Sequence, residues 1–188
     1  AGRACGLRSN RFQTECFLMP RPSTNIRNNF NLIGGDYYRD GIPVALMDTL
    51  IVREASDLSG DIDSNKLYVI DGTIDMGEQS ITVPPGGMNI AGLGFGISSL
   101  HTDADNYSLF IDDGTYSGDL FIDSLDILVT GTGSKVYDLD NGGNFNAVEC
   151  TTVNFLNCTS LGELTAYRQG LWTNVAVIGC LDGLTMSG

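Results

Sequence analysis

The chain has 188 residues and a formal net charge of −13, and hydrophobic residues make up 42% of it. Residues 1–35 carry five arginines against one glutamate, a net charge of +4, whereas the rest carries five basic and 22 acidic side chains, a net charge of −17. Nucleic acid and anionic membrane surfaces repel so acidic a body and are excluded as its partners. No apolar run reaches the roughly 18 residues of a membrane span.

Residues 1–35 are rich in Arg and Asn, include Pro20 and Pro22, and show no hydrophobic period. This composition predicts an extended arm that becomes ordered on a partner. Its basic side chains are the candidates for docking on an acidic partner, and a solvated flexible tail is the alternative. These side chains are Arg3, Arg8, Arg11, Arg21 and Arg27.

Residues 36–66 are predicted to form a connector, with extended segments at 42–47 and 49–52 and a short helical turn over 56–62. Monomers seldom expose contiguous apolar faces, and symmetric packing of three copies would bury such a face. A homotrimer is therefore predicted. The expected contacts at its interface are Ile42, Val44, Leu46 and Leu50.

From residue 67 onward, short segments rich in Val, Ile, Leu and Phe alternate with Gly, Asn and Asp, a pattern typical of strands and turns. The segment 153–158 returns 22 positions later at 175–180. Repeats of about 20–30 residues with short β-type segments indicate a solenoid of stacked coils. The predicted fold class is all-β: a right-handed parallel β-helix over residues 67–188, preceded by an extended N-terminal arm. We expect the β-helix to continue beyond the chain end.

Three cysteines lie in apolar segments, at Cys150, Cys158 and Cys180, and the repeat stacks the last two. Neighbouring coils lie about 4.8 Å apart, within the Cα range of a disulfide, but side chains stacked in register point the same way. Inward-facing stacked thiols are the favoured prediction, with a disulfide as the alternative. No metal site is expected, because the chain has one histidine and no Cys-x-x-Cys pair.

Residues 66–77, 80–87 and 88–94 resemble the opening of the β-helix in bacteriophage tail fibre and tailspike proteins. In that family the first coil often shows an apolar strand, then V-P-x-G and I-x-G-x-G; here these are Val83 to Gly86 and Ile90 to Gly94. Pectate-lyase-like enzymes and bacterial adhesins share this coil pattern. The resemblance implies a homotrimer on the virion, outside the cell. Its residues 1–35 would dock on other tail or capsid proteins, and its β-helix would carry recognition of the host surface outward.

Gly92, Gly94 and Gly96 alternate with apolar residues. A dinucleotide-binding loop needs a helix after its glycines, whereas the sequence that follows here is polar and does not predict one. Tight bends at the corners of a coil are the favoured interpretation. No cofactor is expected.

Because β-helix spikes often cut polysaccharide with carboxylates, an enzymatic function is an alternative for this chain. Glycoside hydrolysis needs two carboxyl groups about 5 Å or about 6.5–9.5 Å apart, one with a raised pKa. The candidates are Asp112, Asp113 and Asp126. Outward strand and turn positions without a catalytic role are the favoured interpretation, so no catalytic residue is assigned. The single histidine, His101, is expected in a polar loop beside Thr102 and Asp103.

Aromatic rings beside Asp or Asn suit sugar recognition by stacking and hydrogen bonding. The candidates for glycan binding are Tyr107, Tyr116, Tyr137 and Tyr167, and packing inside the coil is the alternative for each. The leading hypothesis is a structural virion protein, a phage tail fibre or tailspike whose β-helix recognises a host glycan. The alternatives are a polysaccharide-degrading tailspike depolymerase and a secreted bacterial β-helix adhesin.

Overall fold

The computed structural model describes residues 31–33, 36–39, 42–43, 48–144 and 146–188, and the chain divides into two units between residues 46 and 47. In the first unit, strands β1 (Asn31–Ile33), β2 (Asp36–Arg39) and β3 (Ile42–Pro43) form an antiparallel sheet in the order β1-β2-β3. Several predicted positions lie outside the described residues: Arg3, Arg8, Arg11, Arg21, Arg27, Val44 and Leu46.

The second unit is a parallel β-solenoid of about five turns, and its described residues contain almost no helix, only a 3-10 turn at Ala55–Leu58. This confirms the predicted all-β solenoid, while its right-handedness stays a prediction. Its strands are β4 (Asp48–Val52), β5 (Lys66–Ile70), β6 (Thr73–Asp75), β7 (Ile81–Thr82), β8 (Met88–Gly92), β9 (Ser99–Thr102), β10 (Ser108–Ile111), β11 (Leu120–Val129), β12 (Lys135–Asp140), β13 (Ala147–Leu156), β14 (Ser160–Thr165), β15 (Gln169–Thr173), β16 (Ala176–Ile178) and β17 (Asp182–Ser187).

Three parallel strand columns form the faces of the solenoid. The first face has the order β15-β13-β11-β8-β5-β4, and the third has the order β17-β14-β12-β10-β7. The second face contains β6, β9, β16 and the C-terminal halves of the long strands β11 and β13, which bend from the first face into the second. We number five coils by their first-face strands, from β5 in the first coil to β15 in the fifth.

The register confirms the repeat that the sequence indicates, because Leu156 pairs with Ile178, as the alignment of 153–158 with 175–180 requires. The coils are not equal in length. Phe121 pairs with Asn89 in the coil before it and with Glu149 in the coil after it, and the step from Asn89 to Phe121 is the longer of the two. Residues are therefore inserted at particular corners while the strands stay in register.

Inward-facing side chains form one continuous hydrophobic core with an aromatic ladder in the later coils. The ring centroids of Phe110 and Tyr137 are 5.7 Å apart, those of Tyr137 and Phe155 6.1 Å, and those of Phe155 and Trp172 5.4 Å. These separations are in the range of favourable aromatic pairs. The core thus links adjacent coils by ring contacts as well as by strand pairing.

The described cysteines Cys150, Cys158 and Cys180 are free thiols, and the first two are buried. The Cys158 thiol donates to the Ile127 carbonyl oxygen at 3.4 Å, and the Cys180 thiol donates to that of Phe155 at 3.6 Å. Burial raises the pKa of Cys150 and of Cys158 to about 12. This confirms the predicted inward thiols at Cys150 and Cys158, which stay protonated at neutral pH.

Candidate functional site

An open groove of about 280 Å³ lies on the outer surface of the second face. It spans the first three coils at that face, and most of its lining side chains are polar. The lining residues are Thr73, Asp75, Ser99, His101, Thr102, Asp103, Leu128 and Thr130.

Strand alternation explains why polar side chains meet in this groove. Ile74 and Leu100 are buried in the core, so their neighbours along β6 and β9 point outward. The register then sets Thr73 beside Ser99, with an Oγ to Oγ1 hydrogen bond of 3.1 Å. The same register sets Asp75 beside His101.

The histidine lies within strand β9, so the prediction that His101 belongs to a polar loop is wrong. Burial of the preceding Leu100 in the core continues the strand through this position. The His101 Nδ1 atom is 4.0 Å from Asp75 Oδ1, and both side chains are partly exposed. The groove therefore carries an imidazole and a carboxylate side by side, both open to solvent.

The groove has an acidic character, because Asp75 and Asp103 contribute carboxylates and no lysine or arginine is among its lining residues. The hydroxyl proton of Thr102 is already used within the fold, since it is donated to the Gly77 carbonyl oxygen at 2.6 Å. Hydroxyl, imidazole and carboxylate groups that face one open space can donate to and accept from a ligand rich in hydroxyl groups.

Two of the candidate carboxylates, Asp112 and Asp113, lie in the turn after β10. Asp112 Oδ1 accepts from the Gly114 amide at 2.7 Å. Hydrogen bonds from the Thr115 side chain and amide hold the pKa of Asp113 below its usual value. Such bonds stabilise the ionised carboxylate, whereas the general acid of a glycoside hydrolase needs a raised pKa.

The third candidate, Asp126, is buried in β11 with 7% of its surface exposed. Its Oδ2 accepts from the Gly96 amide at 2.9 Å, and its Oδ1 accepts from Asn154 Nδ2 at 2.8 Å. Asp126 therefore joins a loop of the second coil to strands of the third and fourth coils.

A different carboxylate, Asp123 on the first face, has a raised pKa because it is partly desolvated by burial. The Ser124 hydroxyl donates to its Oδ1 at 3.0 Å. Asp123 does not belong to the groove lining.

Three of the four candidate tyrosines lie in the interior. Tyr137 belongs to the aromatic ladder and has no exposed surface. The hydroxyl of Tyr107 donates to the Gln79 carbonyl oxygen at 2.5 Å, and that of Tyr167 donates to the Gly118 carbonyl oxygen at 2.9 Å. Burial raises the pKa of all three, that of Tyr167 to about 12.

The fourth tyrosine, Tyr116, follows the turn after β10 and is 37% exposed. Of the four, it alone presents a substantial part of its ring to solvent. Leu50, one of the expected trimer contacts, is half-buried against the interior core, and the side chain of Ile42 is not among those described.

Within the described ranges, no helix is long and apolar enough to cross a membrane. Over the same residues, no group of three or more His, Cys, Asp or Glu side chains is placed to hold a metal ion.

Comparison with known proteins gives no relative. No protein-family model matches the chain, and no curated protein or solved structure matches it. Sequence reasoning missed the groove residues Thr73, Asp75 and Ser99. A usable signal was present, because Thr-Ile-Asp at 73–75 is followed one coil later by Ser-Leu-His at 99–101, with polar residues on either side of a buried one in both segments.

Proposed function

We propose that this chain is a structural protein of a phage virion, a tail fibre or tailspike, and that its solenoid binds a host-surface glycan through the groove on the second face. The resemblance of residues 66–94 to the opening β-helix of that family supports the assignment to a virion. The observation that carries glycan binding is the placement of Thr73, Asp75, Ser99 and His101 in one open groove.

The chemistry of these side chains suits a sugar. Each sugar hydroxyl donates one hydrogen bond and accepts others, and it needs partners of both kinds when it leaves water. The carboxylate of Asp75 can accept, and the Thr73 hydroxyl can donate and accept. The Ser99 hydroxyl donates its proton to Thr73 Oγ1 and can accept from a sugar hydroxyl. Because the groove is held by parallel strands of adjacent coils, its polar groups are positioned before a ligand arrives, which lowers the entropy lost on binding.

The rest of the proposal concerns assembly. Residues 1–35, with a net charge of +4, would dock on an acidic surface of a tail or capsid protein. Three copies of the chain would pack together and bury apolar surface. The solenoid would then extend away from the particle and present the groove to the host.

Glycan-array binding of the full chain and of Asp75→Ala tests the glycan part of this proposal. The variant is expected to bind at least about tenfold more weakly than wild type, since it loses a charged acceptor. Asp61→Ala is the matched control, because Asp61 is an exposed aspartate outside the groove. Full-length protein that binds no glycan on the array contradicts this part.

Immunogold labelling of particles from the source culture tests the virion part. Antibodies raised against residues 48–188 are expected to label a tail appendage. Antibodies that label only free protein or the bacterial cell would overturn the assignment to a virion and favour a secreted adhesin.

One observation favours the depolymerase alternative. Burial raises the pKa of Asp123, as the general acid of glycoside hydrolysis requires. In that case the full chain releases reducing sugar from host polysaccharide, and Asp123→Asn abolishes the release while binding to the polysaccharide persists. A wild-type chain that releases no sugar from a polysaccharide to which it binds excludes this alternative.

A further inference from the structure

At the corner between the first and second faces, the second coil contains more residues than are needed to close a coil. From Asp123 on the first face to Asp126 on the second, the chain advances three positions around the bend at Ser124. The register partners of these residues in the second coil are Ala91 and Ser99, which are eight positions apart. The second coil therefore carries an insertion at this corner, Leu93–Ile97, which we call the corner loop.

The corner loop exposes apolar side chains. Leu93 is 55% exposed, Phe95 47% and Ile97 58%, and glycines separate them. Scattered exposed apolar residues are normal on a protein surface. Three of them on one short insertion without a charged residue indicate a contact surface.

The corner loop is also held in place. The buried carboxylate of Asp126 accepts a hydrogen bond from the Gly96 amide at 2.9 Å. The Ser98 hydroxyl accepts from the Leu93 amide at 2.8 Å and donates to the Ile70 carbonyl oxygen at 2.6 Å. Because both ends of the loop are fixed, its apolar side chains lose less entropy when they contact a ligand.

The corner loop adjoins the groove. Its anchor, Asp126, pairs in register with Ser99, which lines the groove. Leu128, another lining residue, lies two positions further along β11, at a distance of about 7 Å along the strand. The loop therefore borders the groove at the corner between the first and second faces.

We propose that the corner loop and the groove form one carbohydrate subsite, in which Phe95 is the stacking platform for a sugar ring. An aromatic face suits the apolar C–H face of a sugar, while the groove side chains hydrogen-bond its hydroxyl groups. The carboxylates of Asp75 and Asp103, with no lysine or arginine in the groove lining, repel acidic sugars. The subsite thus selects neutral or amino sugars. This inference rests on the glycan binding proposed above.

Titration calorimetry of the full chain with three soluble oligosaccharides tests the subsite. The probes are chitotetraose as the neutral sugar, the chitosan tetramer as the amino sugar and the polygalacturonate tetramer as the acidic sugar. Wild type is expected to bind a neutral or amino probe at least about tenfold more tightly than the acidic one. Phe95→Ala is expected to lower that affinity about tenfold, whereas Phe95→Tyr stays within about twofold of wild type because it keeps the ring.

Leu181→Ala is the matched control, because Leu181 is exposed on the fifth coil and lies outside the groove, and its affinity is expected to equal that of wild type. If wild type binds and Phe95→Ala binds equally well, the role of the corner loop is wrong while glycan binding stands. If the acidic probe binds most tightly, the charge selection is wrong. If wild type binds none of the three probes but binds a glycan on the array, the subsite is overturned while glycan binding stands. If it binds neither the probes nor any glycan on the array, both are overturned.

Discussion

The second and third coils close the same corner of the solenoid in different ways. In the third coil, one residue in the left-handed region, Ser124 with φ 54°, redirects the strand from the first face to the second. In the second coil, the corner loop Leu93–Ile97 intervenes between β8 and β9. Thr152 and Asn174 close the fourth and fifth coils in the same way as Ser124. One left-handed residue is therefore enough to close this corner, and the corner loop of the second coil is an addition to that pattern.

The largest expected effect comes from Gly92, the residue before the corner loop. A Cβ atom there would collide with the Ser124 carbonyl oxygen of the third coil and lie 2.7 Å from Ser98 Cβ. Gly92→Ala is expected to lower the free energy of unfolding by about 3 kcal/mol, as overpacking does, measured by urea denaturation. Gly96→Ala is the control, because its φ is +66° with no atom within 4 Å, and strain alone is expected to cost about 1 kcal/mol. Equal costs would contradict the close approach of the two coils.

The second prediction concerns the anchor of the corner loop. Asp126→Ala removes the hydrogen bonds with the Gly96 amide and with Asn154, and it is expected to lower the free energy of unfolding by about 2 kcal/mol. In a chain that lacks residues 93–97, the same substitution is expected to cost about half as much, since one partner is absent. A double-mutant cycle measures this coupling. Strict additivity would show that Asp126 does not hold the loop.

The third prediction concerns the corners of the fourth and fifth coils, each of which is closed by one left-handed residue. Thr152 adopts φ 56° and Asn174 adopts φ 53°, and asparagine tolerates this conformation better than a β-branched residue. Thr152→Asn is expected to raise the free energy of unfolding by up to about 1 kcal/mol. The reverse exchange, Asn174→Thr, is expected to lower it, and both are read from chemical denaturation. A destabilised Thr152→Asn variant would mean that contacts of the threonine side chain outweigh backbone strain.

The smallest predicted effect depends on pH and involves Asp123, beside the corner of the third coil. Burial raises its pKa in the folded state, so the folded state favours the protonated form. Its contribution to stability is present below the unfolded pKa of about 3.9 and is lost as the pH rises through the raised value. Asp123→Asn is therefore expected to unfold at a higher temperature than wild type at pH 7, and the difference should vanish in acid.

Asp113→Asn is the control in the same thermal experiment, because its unfolding temperature is expected to shift in the opposite direction. Hydrogen bonds from Thr115 lower the pKa of Asp113, so its contribution to stability is present at pH 7 and is lost as the pH falls through the lowered value. This variant is expected to unfold slightly below wild type at pH 7. Two variants that shift in the same direction would contradict the environments described for these carboxylates.

The fold was predictable because one pair of similar segments shows its repeat. The apolar spacing of 153–158 and 175–180 predicts the pairing of Leu156 with Ile178, and the register confirms it. The short apolar segments between glycine and aspartate turns likewise predict an all-β chain. Both features depend on the alternation of side chains along a strand. Because this alternation involves only neighbouring residues, it can be recognised in the sequence alone.

The groove was not predictable in the same way, because it depends on register between coils of unequal length. The chain between Asp75 and His101 contains the corner loop. A constant period taken from the later coils therefore does not predict that these two residues are neighbours. Tyr137 shows the same difficulty. Because Tyr137 precedes Asp138 in the sequence, its ring could be predicted to face either solvent or the core. In the structure the ring packs in the core against Phe110 and Phe155.

The aromatic ladder has an optical consequence. Trp172 is the single tryptophan of the chain, and it stacks on Phe155 across the boundary between the fourth and fifth coils. Fluorescence excited at the red edge of its absorption band, where tyrosine absorbs little, therefore reports on the docking of the fifth coil alone. A red shift of this emission ahead of the loss of far-ultraviolet circular dichroism would mark the fifth coil as a separate cooperative unit. Coincident signals would mean that all the coils unfold together.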